Sequence, residues 1–590
     1  MYNQQQIQAS YLAGLNEQQR DAVLCKANIV YVKAGPGTGK THLLTSKLVD
    51  IIQTSTKPEK IVALSYTNSA ARQIGERFQR KLEQVGISKN YSLFCGTIHS
   101  FCYRTLKKFS KNFDYTILDD EELKELAEDI SRQYGERYTT IQILSCIRDT
   151  PGILPDDVQK SILSIKDAFN VISIQDILRI FINTLDNDAA FREYMANDVT
   201  LMAFDEAQDL SEKHYAILEK LLDINPSMKV FLVGDPRQNI FEFNGGSYKN
   251  LEGFLSRHKQ HEVKSLTITY RCGQAIADFV NRFHFTDCDN LQLQSRCNDA
   301  GHIAIKRALD EFEEAKAVLE GIKSTGDINS CVVLCNNLKY LETLSILLQD
   351  CNVPYKVLGG RKTLKRHIRF MNHILRIIDN ENAYSIRKVA EYAGLDIMEN
   401  GKRKKSLFYA SELGQIISSI RGQVPSMPFS SIAALVVAKI MMDQEDDDTI
   451  TQDYMDFQSW SYDYESISDY LAAFATDRER FAQFYDTDFL ECPIPTDMGY
   501  LTLSTIHSAK GLEWDHVFIM GLEEGNFPNP YFCKGKTQAE VDEFYNAEWK
   551  KMYVASTRAR ESLMLTYASV IKRKGFSFRK APSRFISTMS

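Results

Sequence analysis

Short apolar runs recur along the chain, and polar or glycine-rich turns follow them. The run Ile29 to Val32 predicts a buried strand, and the helix-compatible stretch Leu43 to Ile52 behind it predicts a helix. Further apolar runs of strand length are Ile61 to Ser65, Leu201 to Phe204, Val230 to Val233, Ile303 to Lys306, Cys331 to Cys335 and Val517 to Met520. This order of strands and helices favours an α/β fold.

A glycine-rich loop joins the first of these strands to its helix. It reads Ala34-Gly35-Pro36-Gly37-Thr38-Gly39-Lys40-Thr41, and His42 follows it. This is a Walker A loop in its required context, because glycines let backbone N–H groups surround phosphates at a helix N-terminus. We therefore predict that the loop and His42 bind ATP, that Lys40 contacts its β- and γ-phosphates, and that the Thr41 hydroxyl binds Mg²⁺.

A second strand ends in paired carboxylates. Leu201 to Phe204 runs directly into Asp205-Glu206-Ala207-Gln208-Asp209, which is the arrangement of a Walker B motif. We predict that Asp205 holds Mg²⁺ and that Glu206 orients and deprotonates the attacking water. An acidic helix cap would explain an isolated Asp-Glu pair, but the upstream Walker A loop favours the catalytic interpretation.

Composition and charge set the broad class of the protein. The length of 590 residues fits roughly three or four domains, and hydrophobic and charged fractions of 44% and 25% are typical of soluble folded proteins. A net charge of -7 does not exclude a locally basic groove for nucleic acid. The 12 cysteines form no CxxC pair, the first residues are polar, and no apolar run reaches membrane-spanning length, so we expect a cytoplasmic protein with free thiols and no membrane partner.

The segment Asp205 to Asp209 resembles motif II of the UvrD/Rep/PcrA-like superfamily 1A DNA helicases, and other segments resemble the family's remaining motifs in the same order. They are the Q motif (Leu15 to Val23), motif Ia (Tyr66 to Ala71), motif Ib (Gly96 to Phe101), motif III (Gly234 to Phe243), motif IV (Leu266 to Arg271), motif V (Leu503 to Trp514) and motif VI (Tyr553 to Arg560). Motif V is the most specific match. The resemblance implies two RecA-like P-loop NTPase domains, with ATP in the cleft between them and DNA across both.

The resemblance also implies ATP-site roles for residues outside the Walker motifs. Those roles are adenine recognition by Gln19 and Tyr270, a ribose contact by Glu513, γ-phosphate contacts by Gln238 and Arg271, and an arginine finger at Arg558. The catalytic set that follows is Lys40, Asp205, Glu206, Gln238, Arg271 and Arg558.

For the DNA track, the resemblance implies contacts by Tyr66, Asn68, Thr97, His99, Phe241, Phe243 and His507. Tyr66 has a flat π-face that can stack on any base. A core tyrosine at a strand end is the alternative interpretation of Tyr66. Because Gln238 and the two phenylalanines share one loop, that loop is a candidate coupling element between ATP and DNA.

The expected organisation is a pair of RecA-like domains, each interrupted by a mainly helical insertion. Residues 1–105 and 196–275 would form domain 1A around the insertion 1B at 106–195. Residues 276–369 and 500–590 would form domain 2A around a short insertion 2B at 370–499. Helical patterning in Asp120 to Tyr134, Val158 to Phe169 and Phe408 to Ile420 favours these insertions.

Some positions depart from the family pattern. His42 and Asn244 stand where arginine is usual, Phe243 replaces tryptophan, Thr269 replaces asparagine, and motif VI begins Glu548-Trp549-Lys550-Lys551 in place of paired arginines. Because these departures surround an intact catalytic set, we expect ATP hydrolysis to be retained and unwinding to be weaker.

The sequence therefore predicts an ATP- and Mg²⁺-dependent motor, and the resemblance implies that it moves 3′ to 5′ along single-stranded DNA and separates strands at single-strand/duplex junctions. DNA repair, replication or recombination is the expected setting, with a nuclease or repair protein as a possible partner. Because only a short segment follows motif VI, we expect any nuclease to be a separate partner. The alternative is an ATPase subunit of a bacterial anti-phage defence system that acts with a separate nuclease.

Overall fold

The computed structural model describes residues 11–54, 59–86, 91–110, 113, 115–148, 154–242, 245–359, 362–399, 402–441, 448–477, 480–487, 499–573 and 576–587. Within these residues, two parallel sheets are each surrounded by helices, and further helices lie between the parts of each sheet. The predicted α/β fold is confirmed. No helix of this part of the chain is long and apolar enough to cross a membrane.

The first sheet has six parallel strands in the order β3-β2-β4-β5-β1-β6. The strands are β1 (Ile29–Ala34), β2 (Glu59–Leu64), β3 (Tyr91–Gly96), β4 (Leu201–Phe204), β5 (Lys229–Gly234) and β6 (His261–Leu266). The side chains of β4 alternate between two hydrophobic cores, one on each face of the sheet. Leu201 and Ala203 pack in one core, and Met202 and Phe204 pack in the other. Burial on both faces explains the continuous apolar runs.

The second sheet has seven strands, of which six are parallel in the order β7-β12-β11-β8-β10-β9. The strands are β7 (His302–Asp310), β8 (Cys331–Cys335), β9 (Tyr355–Leu358), β10 (Leu501–Thr505), β11 (Trp514–Ile519), β12 (Ala559–Arg573) and β13 (Phe576–Arg579), the last antiparallel to β12. The predicted strands are confirmed in both sheets, except that Ser65 and Met520 lie just beyond strand ends.

Helices cover both faces of each sheet. Those of the first sheet are Glu17–Leu24, Lys40–Thr54, Asn68–Val85, Ile98–Phe109, Glu212–Ile224 and Tyr248–Arg257. Those of the second are Gln274–Asn281, Glu311–Thr325, Glu342–Asp350, Gln538–Ser556 and Arg584–Ser587. Because the strands are parallel, the loops after β1, β4, β5 and β6 all leave the first sheet at its carboxyl edge, where α/β proteins bind ligands.

Two helical segments interrupt the sheets. The first contains Asp120–Gln133, Thr140–Ile147, Asp156–Phe169, Ile174–Asn187 and Ala189–Asp198. The second contains Arg366–Asn380, Ala383–Tyr392, Lys405–Ala410, Glu412–Arg421, Phe429–Val436, Asp448–Trp460 and Ile467–Thr476, with a π-helical turn at Val437–Met441. Short strand pairs join Thr116–Ile117 to Val171–Ile172, Lys362–Leu364 to Tyr485–Thr487, Met398–Glu399 to Lys402–Arg403, and Ile268–Thr269 to Gln294–Ser295.

The two helical segments contact each other through charged side chains. Glu122 of the first segment pairs with the buried Arg376 of the second, and Glu125 pairs with Lys388 at 2.8 Å. Buried ion pairs of this kind add little net stability but favour one relative placement of the two surfaces.

Several predicted domain boundaries lie inside helices. The boundary at 105/106 lies within Ile98–Phe109, that at 195/196 within Ala189–Asp198, that at 275/276 within Gln274–Asn281, and that at 369/370 within Arg366–Asn380. The division into four domains stays a prediction.

A buried carboxyl pair lies in the core of the second sheet. Glu314 accepts hydrogen bonds from the backbone N–H of Gly521 (3.0 Å) and from the hydroxyl of Thr566 (2.6 Å), and Glu523 accepts one from the N–H of Ala568 (2.7 Å). Burial, with the charge of Glu523, raises the pKa of Glu314 to about 7. Folding therefore keeps Glu314 protonated to a higher pH than in the unfolded chain.

This raised pKa predicts a dependence of stability on pH. The stabilisation from protonating Glu314 is complete below its unfolded pKa of 4.5 and is lost as the pH rises through about 7. In the native protein, the free energy of unfolding should fall by about 3 kcal/mol between these pH values because of Glu314. Glu314→Gln should lack this contribution to the fall, as measured by denaturant unfolding at each pH. Glu313→Gln, in the exposed part of the same helix, is the control; equal pH slopes in Glu314→Gln and the native protein would contradict the assignment.

Candidate nucleotide-binding active site and nucleic-acid track

The loop between β1 and its helix has a backbone that only glycine accommodates. Gly37 and Gly39 have φ values of +70° and +83°, in the left-handed region. A Cβ atom on Gly37 would lie 2.4 Å from Cβ of Arg271 and 2.5 Å from Oγ1 of Thr269. The loop runs directly into the N-terminus of the helix Lys40–Thr54, and a helix N-terminus behind a glycine-rich loop binds phosphates, so the residues present fit ATP.

The loop is clamped from two other motifs. The hydroxyl of Thr269 donates to the carbonyl of Pro36 (2.9 Å), and the N–H of Tyr270 donates to the carbonyl of Gly37 (2.9 Å). From the Q motif, the amide of Gln19 donates to the carbonyl of Thr38 (2.8 Å). Thr269, a departure from the family pattern, therefore has a definite role as a clamp. Gln19 is buried against this loop, and its contact with adenine stays a prediction.

A cleft of about 940 Å³ separates the two sheets and gathers most of the predicted ATP-site residues. Those in its lining are Pro36, Gly37, Gly39, Lys40, Thr41, His42, Asp205, Glu206, Gln238, Tyr270, Arg271, Glu513 and Arg558. Tyr66, Phe241 and His507 of the predicted DNA track line the same cleft. One cavity thus brings together residues of both predicted functions.

The Lys40 ammonium lies 3.1 Å from the Glu206 carboxylate. Glu206 has a φ of +56°, a strained value for a residue other than glycine, and it accepts a hydrogen bond from the amide of Gln208 (2.7 Å). Burial and the charge of Glu206 raise the pKa of Asp205 to about 7. Despite burial, Lys40 and Lys510 lower the pKa of Glu206 to about 2, so Glu206 carries the negative charge.

The donor set near these carboxylates fits Mg²⁺. A hydroxyl at Thr41 and a carboxylate at Asp205 are hard oxygen ligands, and Mg²⁺ commonly takes its remaining ligands from phosphate and water. Within the described residues, no group of three or more His, Cys, Asp or Glu side chains could hold a metal ion alone. An Mg²⁺ site here would therefore depend on the nucleotide as well as on Thr41 and Asp205.

Gln238 joins the two sides of the cleft. Its carbonyl oxygen accepts from the Arg558 guanidinium (3.1 Å), its amide donates to Asp235 (3.0 Å), and its backbone carbonyl accepts from Lys510 Nζ (2.7 Å). Burial and the neighbouring Arg271 lower the pKa of Arg558 to about 9. An anion placed in the cleft would therefore stabilise the charged form of Arg558.

Arg271 and Glu513 pair with each other across the cleft. The Arg271 Nε lies 2.6 Å from a Glu513 oxygen, and Arg560 binds the other oxygen of the same carboxylate. Arg271 also donates to the backbone carbonyl of Thr557 (3.2 Å). The structure brings both residues to the cleft as predicted, but their contacts with phosphate and ribose stay predictions.

Sequence reasoning missed a buried ion pair beside the cleft. Lys510 pairs with Asp209 and places its ammonium 4.9 Å from the centre of the Phe241 ring. Both residues lie inside matched motifs, but 301 positions separate them in the chain, and no local pattern signals such a contact. Lys510 therefore links the Walker B loop, the motif III loop and the predicted DNA track.

The predicted stacking residues form a continuous aromatic surface. The rings of Tyr66 and Phe241 are stacked, with centroids 4.8 Å apart and planes 12° apart, and His507 lies 6.2 Å from Phe241. Burial and the nearby Lys551 and Lys510 lower the pKa of His507 to about 4, so this ring is neutral at pH 7. Phe243 lies outside the described residues.

Two of the other predicted track residues line a cavity that Tyr66 also reaches. Asn68 donates to the backbone carbonyl of Thr476 (2.8 Å), and both residues, with Thr97 and Tyr66, line this cavity of about 330 Å³. His99 packs edge to face on His214, with centroids 5.5 Å apart, and burial lowers its pKa to about 4. DNA contacts by Asn68, Thr97 and His99 stay predictions.

Two further departures from the family pattern have structural consequences. Burial, with Lys81 and Arg77, lowers the pKa of His42, so this position supplies no positive charge near neutral pH. Lys550 is fully buried and pairs with Glu242 (3.2 Å) and Asp287 (2.5 Å). These contacts give Lys550 a structural role inside the protein. Asn244 lies outside the described residues.

A clamped glycine loop, an acidic pair at the end of β4 and an arginine from the second sheet define a P-loop NTPase with two RecA-like units that face one cleft. Comparison with known families identifies the group. The chain matches the UvrD/REP helicase N-terminal domain over residues 15–150 and 154–259, and the UvrD-like helicase C-terminal domain over 265–414 and 465–570. It belongs to the UvrD-like helicase family of ATP-hydrolysing enzymes.

Curated relatives are similar over nearly the whole chain. The ATP-dependent DNA helicase PcrA of Staphylococcus epidermidis is 25% identical over 97% of this chain and 86% of its own length. The ATP-dependent DNA helicase UvrD1 of Mycobacterium tuberculosis is 25% identical over 98% and 85%, respectively. The C-terminal family match is interrupted at 415–464, in the second helical segment.

The carboxylate geometry predicts the effect of neutralising Glu206. Glu206→Gln removes the base but keeps the shape, so ATP turnover should fall at least about 100-fold while nucleotide binding persists. Lys40→Ala should lose binding as well, because it removes the phosphate-binding cation. Steady-state phosphate release and fluorescent-nucleotide titration measure the two effects. Glu212→Gln, at an exposed position of the next helix, is the control, and normal turnover in Glu206→Gln would refute the assigned base.

The buried ion pair predicts a specific pattern of stability. Lys510→Met leaves the Asp209 carboxylate buried without its cation, which should cost about 3–5 kcal/mol in the free energy of unfolding. Adding Asp209→Asn should recover much of that loss. Denaturant unfolding of the single and double variants tests this coupling, and strictly additive losses would show that the pair is not coupled.

Proposed function

We propose that this chain is an ATP-driven translocase that moves 3′ to 5′ along single-stranded DNA and separates strands at single-strand/duplex junctions. The curated relatives are named as ATP-dependent DNA helicases. The observation that carries the proposal is the position of the motif III loop. Within it, Gln238 contacts Arg558 while Phe241 stacks on Tyr66, so the same loop reaches the ATP cleft and the aromatic surface.

The cleft supplies the groups that ATP hydrolysis needs. Glu206 takes a proton from a water that attacks the γ-phosphorus, the bond to the bridging oxygen of ADP breaks, and phosphate leaves. Lys40 and Arg558 stabilise negative charge that develops on the transferred group. Mg²⁺, held through Thr41 and Asp205, would neutralise phosphate charge when bound.

Nucleotide must change the contacts that close the cleft. Lys40 is paired with Glu206, and Arg271 with Glu513, so phosphate oxygens compete with these carboxylates for the same cations. Releasing Glu206 from Lys40 frees it to accept a proton from water. This exchange of partners couples nucleotide binding to the assembly of the catalytic base.

The aromatic surface can stack on the bases of a single strand whatever their sequence. The ring centroids of Tyr66 and Phe241 are 4.8 Å apart, which leaves no room for a base between the two rings. A base must therefore stack on an outer face or separate the two rings. Because Lys510 touches Phe241 and the Gln238 carbonyl, closure of the cleft would shift this aromatic pair along the strand.

The proposed direction can be tested with tailed duplexes. With ATP, a duplex that carries a 3′ single-stranded tail should be unwound, while a 5′-tailed or blunt duplex of the same sequence should remain intact, as judged by release of a labelled strand. Glu206→Gln with the 3′-tailed substrate is the control for dependence on hydrolysis. Preferred unwinding of the 5′-tailed duplex would reverse the assigned polarity.

A further inference from the structure

One edge of the second sheet is a long strand whose outer side pairs with no strand of the described residues. This strand, β7 (His302–Asp310), has nine residues and is parallel to β12 on its inner side. An edge strand has a row of backbone N–H and C=O groups that point away from the sheet. Such groups form hydrogen bonds with an extended segment of another chain when one is added to the edge.

Large apolar side chains of β7 face solvent. Ile305 is 45% exposed and Leu309 is 74% exposed, and Arg307 lies between them on the same face of the strand. On the opposite face, Ala304 packs against a core that includes Val318. Exposed apolar side chains beside unpaired backbone groups indicate a surface that another chain covers.

The charges of β7 favour an acidic occupant. Among the side chains that the structure describes, no carboxylate forms a salt bridge with Lys306 or Arg307, and Nε of Arg307 donates to the hydroxyl of Ser569 (2.7 Å). The strand's own carboxylate, Asp310, is paired with Lys572 at 3.0 Å. If two copies of the chain paired through β7, the cations of both copies would lie at one interface and would repel each other. An acidic segment of a different protein is therefore favoured over a second copy.

We propose that β7 binds an extended acidic segment of a partner protein, which adds a strand to this edge of the second sheet. Side chains of neighbouring strands lie directly opposite each other on each face. The segment would therefore place apolar side chains opposite Ile305 and Leu309, and carboxylates opposite Lys306 and Arg307. A nucleic acid would use the two cations but neither the backbone edge nor the apolar side chains, so a protein segment fits more of these features.

This inference does not rest on the proposed movement along DNA, because no residue of β7 lines the ATP cleft. The probe for its test is a fluorescent peptide with the core Val-Glu-Glu-Glu-Val, flanked by threonines and blocked at both ends. The core reads the same in both directions, so it matches β7 in a parallel or an antiparallel orientation. Fluorescence anisotropy should show saturable binding with a dissociation constant below about 1 mM.

Two further measurements test the mode of binding. A peptide with methyl groups on the three central backbone nitrogens should not bind, because it cannot form the hydrogen bonds of a strand pair. Hydrogen exchange of the native protein should show that the unmodified peptide slows exchange of the β7 amides. Binding that tolerates the methyl groups, or that leaves the β7 amides unchanged, would contradict strand addition.

Variants of β7 test the residues. Leu309→Asp and Lys306→Glu should each weaken peptide binding at least about 5-fold, because they remove an apolar contact or a cation and add a negative charge. Ile346→Asp and Lys323→Glu make the same changes at exposed positions outside β7 and should not weaken it. Thermal unfolding of each variant shows whether it is folded.

The remaining outcomes separate this inference from its rivals and from the proposed function. Absence of saturable peptide binding, or equal weakening by the control changes, would overturn it. Weaker binding of single-stranded DNA by Lys306→Glu, with unchanged peptide binding, would overturn it and assign the edge to nucleic acid. Self-association that Leu309→Asp abolishes, without peptide binding, would assign the edge to a second copy. If tailed duplexes stay intact while the peptide binds β7, only the proposed function fails.

Discussion

The contacts of Gln238 hold the two halves of the molecule in one functional arrangement. This residue follows β5 of the first sheet, yet its side chain accepts from Arg558 and its backbone accepts from Lys510, both of the second sheet. Its amide is fixed by Asp235, so the side chain has little freedom to move independently. A change in the bound nucleotide that displaces Arg558 would therefore also displace the loop that carries Phe241.

Buried charge explains why this arrangement responds to an anion. Burial and the neighbouring Arg271 lower the pKa of Arg558 to about 9, so an anion in the cleft would stabilise its charged form further. Lys40 and Arg271 have carboxylate partners that phosphate oxygens can replace. Charges held in a low-dielectric cleft interact strongly with a ligand, which gives the nucleotide a large influence over the separation of the two sheets.

Much of this site was predictable from sequence because the chemistry is local. The Walker A glycines, the strand before Asp205 and the motif order lie in short contiguous segments, and the predicted strands are confirmed. Contacts across the cleft were not predictable in the same way. Lys510 and Asp209 belong to distant segments, and Thr269 was identified only as a departure, although its hydroxyl clamps the phosphate loop. Several predicted domain boundaries lie within helices, because amphipathic patterns do not mark where a helix changes its packing partner, and the division into domains stays a prediction.

In the proposed function, ATP hydrolysis in the cleft moves the chain along a single strand. The most direct measurement is stopped-flow arrival at a fluorophore on the 5′ end of oligonucleotides of increasing length, with phosphate release followed in parallel. We expect an arrival time that grows in proportion to length, with phosphate released throughout the lag. DNA-stimulated phosphate release with an arrival time independent of length would contradict movement and leave only a DNA-activated ATPase.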